Sequence, residues 1–130
     1  MRKKKVVLHI EDDAEERSVI SKMLRAHYRC IGRARAEEAE ALLAQQDVHF
    51  IILDLALPRM NGFEFLQKNR ETLERRKIPV VLTTGVEGRG VRALGREHGC
   101  CAFLTKPLDH AALLDLIRRH FADEPGNPNP

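Results

Sequence analysis

The sequence predicts an α/β protein built on a doubly wound parallel sheet of five strands flanked by five helices. Short apolar runs alternate five times with longer amphipathic segments, which is typical of parallel strands joined by helices. The run at 50–53 has four consecutive apolar residues and leads into a loop with Pro and Asn-Gly, as a buried strand would. With 130 residues, the chain is long enough for one well-packed domain and too short for two ordinary ones.

Each element has its own signal. The strands are predicted at the apolar runs, at residues 5–10, 29–33, 50–55, 79–84 and 101–105. The helices are predicted in the segments that follow them, at residues 14–27, 36–46, 62–76, 86–98 and 109–121. Apolar residues at helical spacing predict the inward faces of the first two helices: Val19, Ile20, Met23 and Leu24 in the first, and Ala39, Leu42 and Leu43 in the second. His9 is predicted to be buried in the first strand.

The first and third helices begin with capping signals, whereas the fourth is weak. Asp13 is followed three positions later by Glu16, and Asn61 by Glu64, which is the spacing of a capping box. Five glycines lie in and around the fourth segment, and each interior glycine costs about 1 kcal/mol relative to alanine. We therefore expect this helix to be short or mobile. Residues 123–130 are rich in Pro, Gly and Asn, and we expect a disordered tail there.

Composition favours a cytoplasmic protein. No apolar run exceeds about five residues, which is too short to span a membrane. The net charge of +3 permits nucleic-acid binding without requiring it, and we expect no direct contact with nucleic acid or membrane. Cys30, Cys100 and Cys101 have no metal-ligand spacing, and the N-terminal residues do not form a secretory signal. Reduced, mostly buried thiols are therefore expected.

Five polar side chains stand at or just after predicted strand ends. Glu11 and Asp12 follow the first strand, Asp54 the third, Thr84 ends the fourth and Lys106 follows the fifth. Because open parallel sheets bind ligands beyond the carboxyl ends of their strands, these side chains are predicted to meet. Like charges about 4 Å apart repel by roughly 4 kcal/mol at an effective dielectric of about 20, so the three carboxylates need a cation between them.

The ligand chemistry favours a hard divalent cation. Oxygen ligands with room for water suit Mg²⁺ or Mn²⁺, and no His or Cys is placed to favour zinc. A carboxylate beside such an ion and a lysine can attack a phosphoryl group and form an aspartyl phosphate. Asp54 is the best candidate nucleophile because it stands alone at the end of the central strand. Asp12 suits direct metal binding, Glu11 binding through a water, and Asp13 a helix cap.

Four stretches carry a resemblance to a known family. In chain order they are VVLHIEDD, DLALPRMNG, PVVLTTG and FLTKP. Together they resemble the receiver domain of bacterial two-component response regulators, in particular stand-alone CheY-like members. The resemblance covers residues 4–122 and implies a flavodoxin-like sheet with strand order 2-1-3-4-5. It further implies a phosphoacceptor switch that catalyses only its own phosphorylation and dephosphorylation, and is otherwise not an enzyme.

The resemblance also implies residue roles at the phosphorylation site. A sensor histidine kinase or a histidine phosphotransfer protein would donate its phosphoryl group to Asp54 in a Mg²⁺-dependent reaction. Glu11, Asp12 and Asp54 would hold the metal together with the backbone carbonyl of Ala56. The transfer would serve two-component signal transduction.

Other implied roles concern the response to phosphorylation. Thr84 would bond a phosphoryl oxygen, Lys106 would pair with the same group, and Phe103 would occupy the aromatic switch position. Pro107 would follow a cis peptide bond. The output would be a protein-binding face made by the fourth helix, fifth strand and fifth helix, in a monomer or weak dimer. A one-residue slip in the fourth strand would exchange Thr84 for Thr83.

The chain departs from the family pattern in two ways. Phe103 lacks the hydroxyl of a tyrosine, so packing alone would drive its movement. Ala56 and Val86 stand two positions after Asp54 and Thr84, and neither side chain can hold an attacking water. We therefore predict slower autodephosphorylation than in regulators with polar residues at these positions.

Two other functions stay open from the sequence. The chain would also suit a phosphorylation-independent interaction module, or a receiver fragment of a longer regulator. A Mg²⁺-dependent phosphatase that forms an aspartyl phosphate is less favoured. Such enzymes need a second acid beside the nucleophile, and Ala56 leaves that position without one.

Overall fold

The computed structural model describes residues 4–85, 89–100 and 102–122 and contains the predicted succession of strands and helices. The strands are β1 (Val6–Ile10), β2 (Arg29–Arg33), β3 (Phe50–Asp54), β4 (Val80–Thr84) and β5 (Ala102–Thr105). The helices are α1 (Ala14–Leu24), α2 (Ala36–Gln45), α3 (Gly62–Arg75), α4 (Arg89–Glu97) and α5 (His110–Ala122).

The predicted boundaries of the strands agree with the structure within one residue, whereas α1 is shorter than predicted. It ends at Leu24, because the backbone N–H groups of His27 and Tyr28 both bond to the Leu24 carbonyl, at 3.0 and 2.8 Å, and close a turn. The predictions for Val86, Cys101 and the tail at 123–130 lie outside the described residues.

All strand pairs are parallel, in the order β2-β1-β3-β4-β5, which confirms the doubly wound sheet. The register pairs Ile10 with Leu53, Asp54 with Thr83, and Thr84 with Thr105. The strands therefore end side by side, and we call this side of the sheet the carboxyl edge and the opposite side the amino edge. The order of the strands reverses between β1 and β3, where a doubly wound sheet opens a crevice.

Alternating residues of the strands face two separate cores. One core holds the β-sheet residues Leu8, Ile10, Ile51, Leu53 and Leu82 together with residues of α2 and α3. The other holds Val7, Phe50, Ile52 and Val81 together with residues of α1 and α5. Burial on both faces explains why the inner strands β1, β3 and β4 are nearly continuous apolar runs, whereas the edge strand β2 is not.

The inward faces of α1 and α2 are largely as predicted. Ile20 and Leu24 of α1 are fully buried, as are the three predicted residues of α2, Ala39, Leu42 and Leu43, to within a few per cent. The prediction for Val19 is wrong, because this side chain is 42% exposed. At about 100° per residue, Val19 lies at the side of the stripe that Ile20 and Leu24 define.

The loop after β3 is held close to the strand end. Asn61 and Glu64 form the predicted capping box at the start of α3, with bonds of 3.0 and 3.1 Å. The N–H of Gly62 donates to the carbonyl of Leu55 at 2.9 Å. A Cβ at Gly62 would lie 3.0 Å from the Asp54 carbonyl and even closer to the Leu55 backbone. Glycine thus lets α3 begin directly against the end of β3.

Candidate phosphorylation site

The carboxyl edge brings a lysine into contact with three carboxylates. The Nζ atom of Lys106 lies 2.7 Å from Glu11 Oε1, 3.2 Å from Glu16 Oε2 and 3.3 Å from Asp54 Oδ2. Glu11 and Asp54 are almost fully buried, whereas the lysine side chain is 25% exposed. The cation that the clustered acids require is therefore supplied, in part, by the protein itself.

A second arrangement at this edge suits a metal ion. One carboxylate oxygen each from Glu11, Asp12 and Asp54 lie within 4.8 Å of one another. Asp12 is exposed and the other two are buried, so an ion here would be reached from solvent. The donor set is oxygen only and fits a hard cation that keeps some of its water. The N–H of Ala56 donates to Asp54 Oδ1 at 3.2 Å, and the role of its carbonyl as a ligand stays a prediction.

Burial dominates the electrostatics of the site. It raises the pKa of Asp54, and the neighbouring Glu11 carboxylate raises this pKa further, while Lys106 opposes both. Burial also raises the pKa of Glu11 against hydrogen bonds from Lys106 and from the Asp13 N–H. Burial alone would lower the pKa of Lys106, but the bond to Glu11 and the charge of Asp54 raise it above its ordinary value. The site thus holds more negative charge than one lysine balances.

Both threonines at the end of β4 reach the carboxyl edge but face opposite sides of the sheet. Thr84 continues the side of Leu82, and Thr83 continues the side of Val81, because strand residues alternate. Both are buried. The Thr83 hydroxyl has no hydrogen-bond partner within the described part of the chain. The assignment of the phosphoryl bond to Thr84 stays a prediction.

Phe103 of β5 packs against α4. It contacts the core on the α2 and α3 side, and the guanidinium carbon of Arg92 lies 5.8 Å from its ring centroid. A Cβ at Gly95 would overlap the Phe103 ring, with Cε2 at 2.6 Å, and would lie 2.9 Å from Cys100 Sγ. The ring therefore occupies space that only a glycine at position 95 leaves open. The Lys106–Pro107 peptide bond is cis, as the resemblance implied.

Sequence reasoning missed two residues beside the site. The side chain of Asp13 caps α1 by accepting from Glu15 and Glu16 N–H, but Glu16 turns its own carboxylate to Lys106. Because Glu16 fits the capping spacing, its position gave no reason to place it in the site. Arg17 donates to the Glu11 carbonyl at 2.7 Å. Nothing in the local sequence indicated that contact.

His9 lies in β1, two residues before Glu11, and is buried as predicted. Neither ring nitrogen has a hydrogen-bond partner among the residues that the structure describes. Burial, aided by the charges of Lys106 and Arg17, lowers the pKa of His9 to about 4. A neutral imidazole therefore lies beneath a site rich in charge.

The chain belongs to the response regulator receiver domain family, whose sequence pattern matches residues 7–118. It is 36% identical over 115 residues to the two-component response regulator ORR3 of Oryza sativa, which covers 87% of this chain and 88% of ORR3. It is 34% identical over 113 residues to the response regulator PleD of Caulobacter vibrioides, which covers 86% of this chain. The matched region spans about a quarter of the length of PleD.

Solved structures agree with the family. The chemotaxis response regulator CheY4 of Vibrio cholerae superposes with a TM-score of 0.83 at 27% identity, over 89% of this chain and 98% of CheY4. A two-component response regulator from Clostridium difficile, at 18% identity, shares the fold with a TM-score of 0.85, over 92% of this chain and 97% of that one. Within the described ranges, no helix is both long and apolar enough to cross a membrane.

Proposed function

We propose that this chain accepts a phosphoryl group on Asp54 from a phosphohistidine of a sensor histidine kinase or a histidine phosphotransfer protein. The observation that supports this most directly is the Lys106 ammonium, which lies 3.3 Å from Asp54 Oδ2 at the carboxyl edge of a receiver fold. Such an ammonium is placed to pair with a phosphoryl oxygen as it reaches the carboxylate. The buried position of Asp54 favours this charge-assisted contact over contact with water.

In the proposed reaction, a carboxylate oxygen of Asp54 attacks the phosphorus atom. The P–N bond breaks, its electron pair stays on the imidazole nitrogen, and that nitrogen takes a proton from solvent. Lys106 pairs with a phosphoryl oxygen, and the Thr84 hydroxyl donates a hydrogen bond to one. The product is an aspartyl phosphate, which retains the charge that the phosphohistidine carried on its phosphoryl oxygens.

Glu11, Asp12 and Asp54 are the residues that would hold Mg²⁺ or Mn²⁺, and the Ala56 carbonyl is a further predicted ligand. When bound, the ion supplies positive charge that lowers the repulsion between the carboxylates and the phosphoryl oxygens. The raised pKa values of Asp54 and Glu11 support binding of a cation here, because one lysine does not balance the charge of the acids.

Incubation with phosphoramidate or acetyl phosphate tests the proposal. We expect a gain of one phosphoryl group by intact mass that requires Mg²⁺ and is absent in Asp54→Asn. Asp115→Asn is the matched control, because Asp115 is an exposed acid paired with Arg119 on α5. Phosphorylation that persists in Asp54→Asn would reassign the acceptor. No phosphorylation under any condition would favour the phosphorylation-independent interaction module.

The lifetime of the phosphoryl group is a separate part of the proposal. Ala56 offers no polar side chain to an attacking water, and Val86, outside the described residues, offers none by its chemistry. We expect the double variant Ala56→Asn, Val86→Glu to lose phosphate faster than the wild type. An unchanged rate of loss would contradict this role for the two positions.

The proposed output is a change at the face formed by α4, β5 and α5. Phe103 lies where β5 meets α4, and Leu94 of α4 is 40% exposed. A rearrangement around an aspartyl phosphate would therefore reach an accessible surface through Phe103. Because the match spans about a quarter of PleD, the partner and the wider protein context stay open.

A further inference from the structure

A large open cavity lies at the amino edge, opposite the phosphorylation site. It has a volume of about 960 Å³ and lies where α1 and α2 end beside the beginnings of β1 and β2. Small-molecule sites commonly measure roughly 300–1,000 Å³. The cavity is therefore large enough for a ligand of nucleotide size.

The cavity is strongly basic. Among the described residues, four cationic ones and one carboxylate line it: Lys4, Lys5, Arg25, Arg29 and Asp47. Arg25 and Arg29 are exposed, and their guanidinium groups make no hydrogen bond or ion pair with any residue that the structure describes. Two arginines that line a concave surface, and whose guanidinium groups form no such contact, suit a phosphate, because guanidinium groups bind phosphate through paired donors.

Helix ends explain only part of this charge. The carbonyl ends of helices attract cations, and Lys4 Nζ donates to the Arg25 carbonyl, just after α1, at 3.1 Å. This attraction accounts for Lys4 and for Arg25, which directly follows α1, but it does not account for Arg29, which lies on β2. The same carbonyl ends would repel an anion, so a ligand must reach the arginine side chains rather than the helix ends.

Ring packing and a hydrogen bond hold two side chains of the cavity wall in place. Tyr28 is buried against Phe121, with ring centroids 5.4 Å apart. The N–H of Val6 donates to His49 Nδ1 at 2.9 Å, which orients the imidazole at the cavity wall. Val6 and Tyr28 line the cavity beside the cationic residues, but only 7% of Val6 and 8% of Tyr28 is accessible, so their apolar contribution to the wall is small. The volume of the cavity, rather than its apolar surface, therefore favours an anion with an organic part over a bare inorganic ion.

We propose that this cavity binds an organic phosphate of nucleotide size, whose phosphate group lies between Arg25 and Arg29 and whose organic part fills the rest of the cavity. The site is at the opposite edge of the sheet from Asp54. Binding is therefore independent of phosphorylation, and this inference goes beyond the proposed function.

Titration of the full chain with ATP, pyrophosphate and adenosine tests the proposal. The Asp54→Asn variant is used without Mg²⁺, and amide shifts in the NMR spectrum report where each compound binds. We expect saturable shifts around Tyr28 and Arg29, with a Kd below about 1 mM for ATP. We expect weaker binding of pyrophosphate and none of adenosine.

Two charge-matched double variants separate a site from general attraction. Arg25→Gln, Arg29→Gln is expected to weaken ATP binding at least about tenfold. Arg89→Gln, Arg96→Gln removes the same charge from α4 and should leave the affinity unchanged. Equal loss in both variants, or no saturable binding of ATP, would overturn the proposal. Adenosine binding as tight as that of ATP would overturn the role of the phosphate.

Discussion

The two edges of the sheet are both charged and concave, yet they manage charge in opposite ways. At the carboxyl edge, Lys106 contacts Glu11, Glu16 and Asp54 within 3.3 Å, and two of these acids are buried. At the amino edge, Arg25 and Arg29 are exposed around an open cavity, and their guanidinium groups form no hydrogen bond or ion pair with the described residues.

The difference follows from burial. A buried carboxylate must be paired, because its desolvation costs several kcal/mol or more. An exposed guanidinium group remains hydrated and can stay unpaired at little cost. At the carboxyl edge the charged side chains are therefore already paired with one another. At the amino edge the guanidinium groups are unpaired within the described part of the chain and remain available to an anion from solvent.

Removal of Lys106 should break the charge balance of the carboxyl edge and have the largest effect. Lys106→Met leaves Glu11 and Asp54 buried without their cation, and we expect a loss of about 3 kcal/mol in the free energy of unfolding at pH 7 in EDTA. Lys68→Met is the control, because Lys68 is 63% exposed in its pair with Glu40. That change should cost less than about 1 kcal/mol.

Urea unfolding of both lysine variants provides the measurement. Added Mg²⁺ should recover part of the stability of Lys106→Met, because the acids again gain positive charge. Equal losses in the two variants would show that the three contacts of Lys106 contribute no more than an exposed ion pair.

The pH dependence of stability should depend on His9, which lies beneath the carboxyl edge. Its pKa is about 4 in the folded chain and 6.5 in the unfolded chain, so unfolding takes up a proton between these values. The stabilising contribution is complete above pH 6.5 and is lost as the pH falls towards 4, by an amount on the order of 3 kcal/mol.

The variant His9→Leu lacks this proton uptake. The difference in unfolding free energy between His9→Leu and the wild type should therefore shift in favour of the variant as the pH falls from 7 to 4. Glu11 and Asp54 have raised pKa values, so their contributions to stability change with pH in the opposite direction. Both proteins contain these acids, and their contributions therefore cancel in the difference. Parallel stability curves across this range would contradict the burial of a neutral His9.

The link from the carboxyl edge to α4 should depend on the space at Gly95. Gly95→Ala overlaps the Phe103 ring, and such overpacking costs about 1–3 kcal/mol. Gly90→Ala is a matched control in the same helix, because a Cβ there meets nothing within 4 Å. The control should gain up to about 1 kcal/mol from its helix propensity.

Thermal and urea unfolding of the two glycine variants would measure this contrast. Combining Gly95→Ala with Phe103→Leu should remove part of the penalty, because the smaller side chain leaves room for the new methyl group. Equal stability of the two single variants would show that the ring is not held against the helix.

The smallest effect concerns the excess of acid at the carboxyl edge. Because the pKa of Asp54 is raised in the folded chain, the contribution of Asp54 to wild-type stability falls as the pH rises from the unfolded value of 3.8 through the folded value. Asp54→Asn lacks this loss, so without Mg²⁺ it should be more stable than the wild type at pH 7. A variant that is less stable at pH 7 would indicate that the Lys106 contact outweighs burial.

The strand ends and their polar residues were predictable because a parallel sheet imposes a simple geometry. Apolar runs mark the strands, and whatever follows a strand must reach the carboxyl edge, which places Asp12, Asp54 and Lys106 without further information. The capping box at Asn61 and Glu64 was predictable for a different reason, because its whole signal lies within four consecutive residues.

The remaining features depend on distant parts of the chain meeting in space. Glu16 satisfies the spacing of a helix cap, and only the arrival of Lys106, 90 residues later, turns its carboxylate into the site. The overlap between position 95 and Phe103 likewise depends on how closely α4 lies against β5.

The sequence by itself determined which residues form strands, which acids follow them and that the carboxyl edge is suited to phosphoryl chemistry, because these depend on local pattern and on the one direction of parallel strands. Only the tertiary structure decided which acids share Lys106, how Phe103 fits against Gly95, and that Arg25 and Arg29 surround a cavity. Those properties depend on distances between side chains that no local pattern encodes.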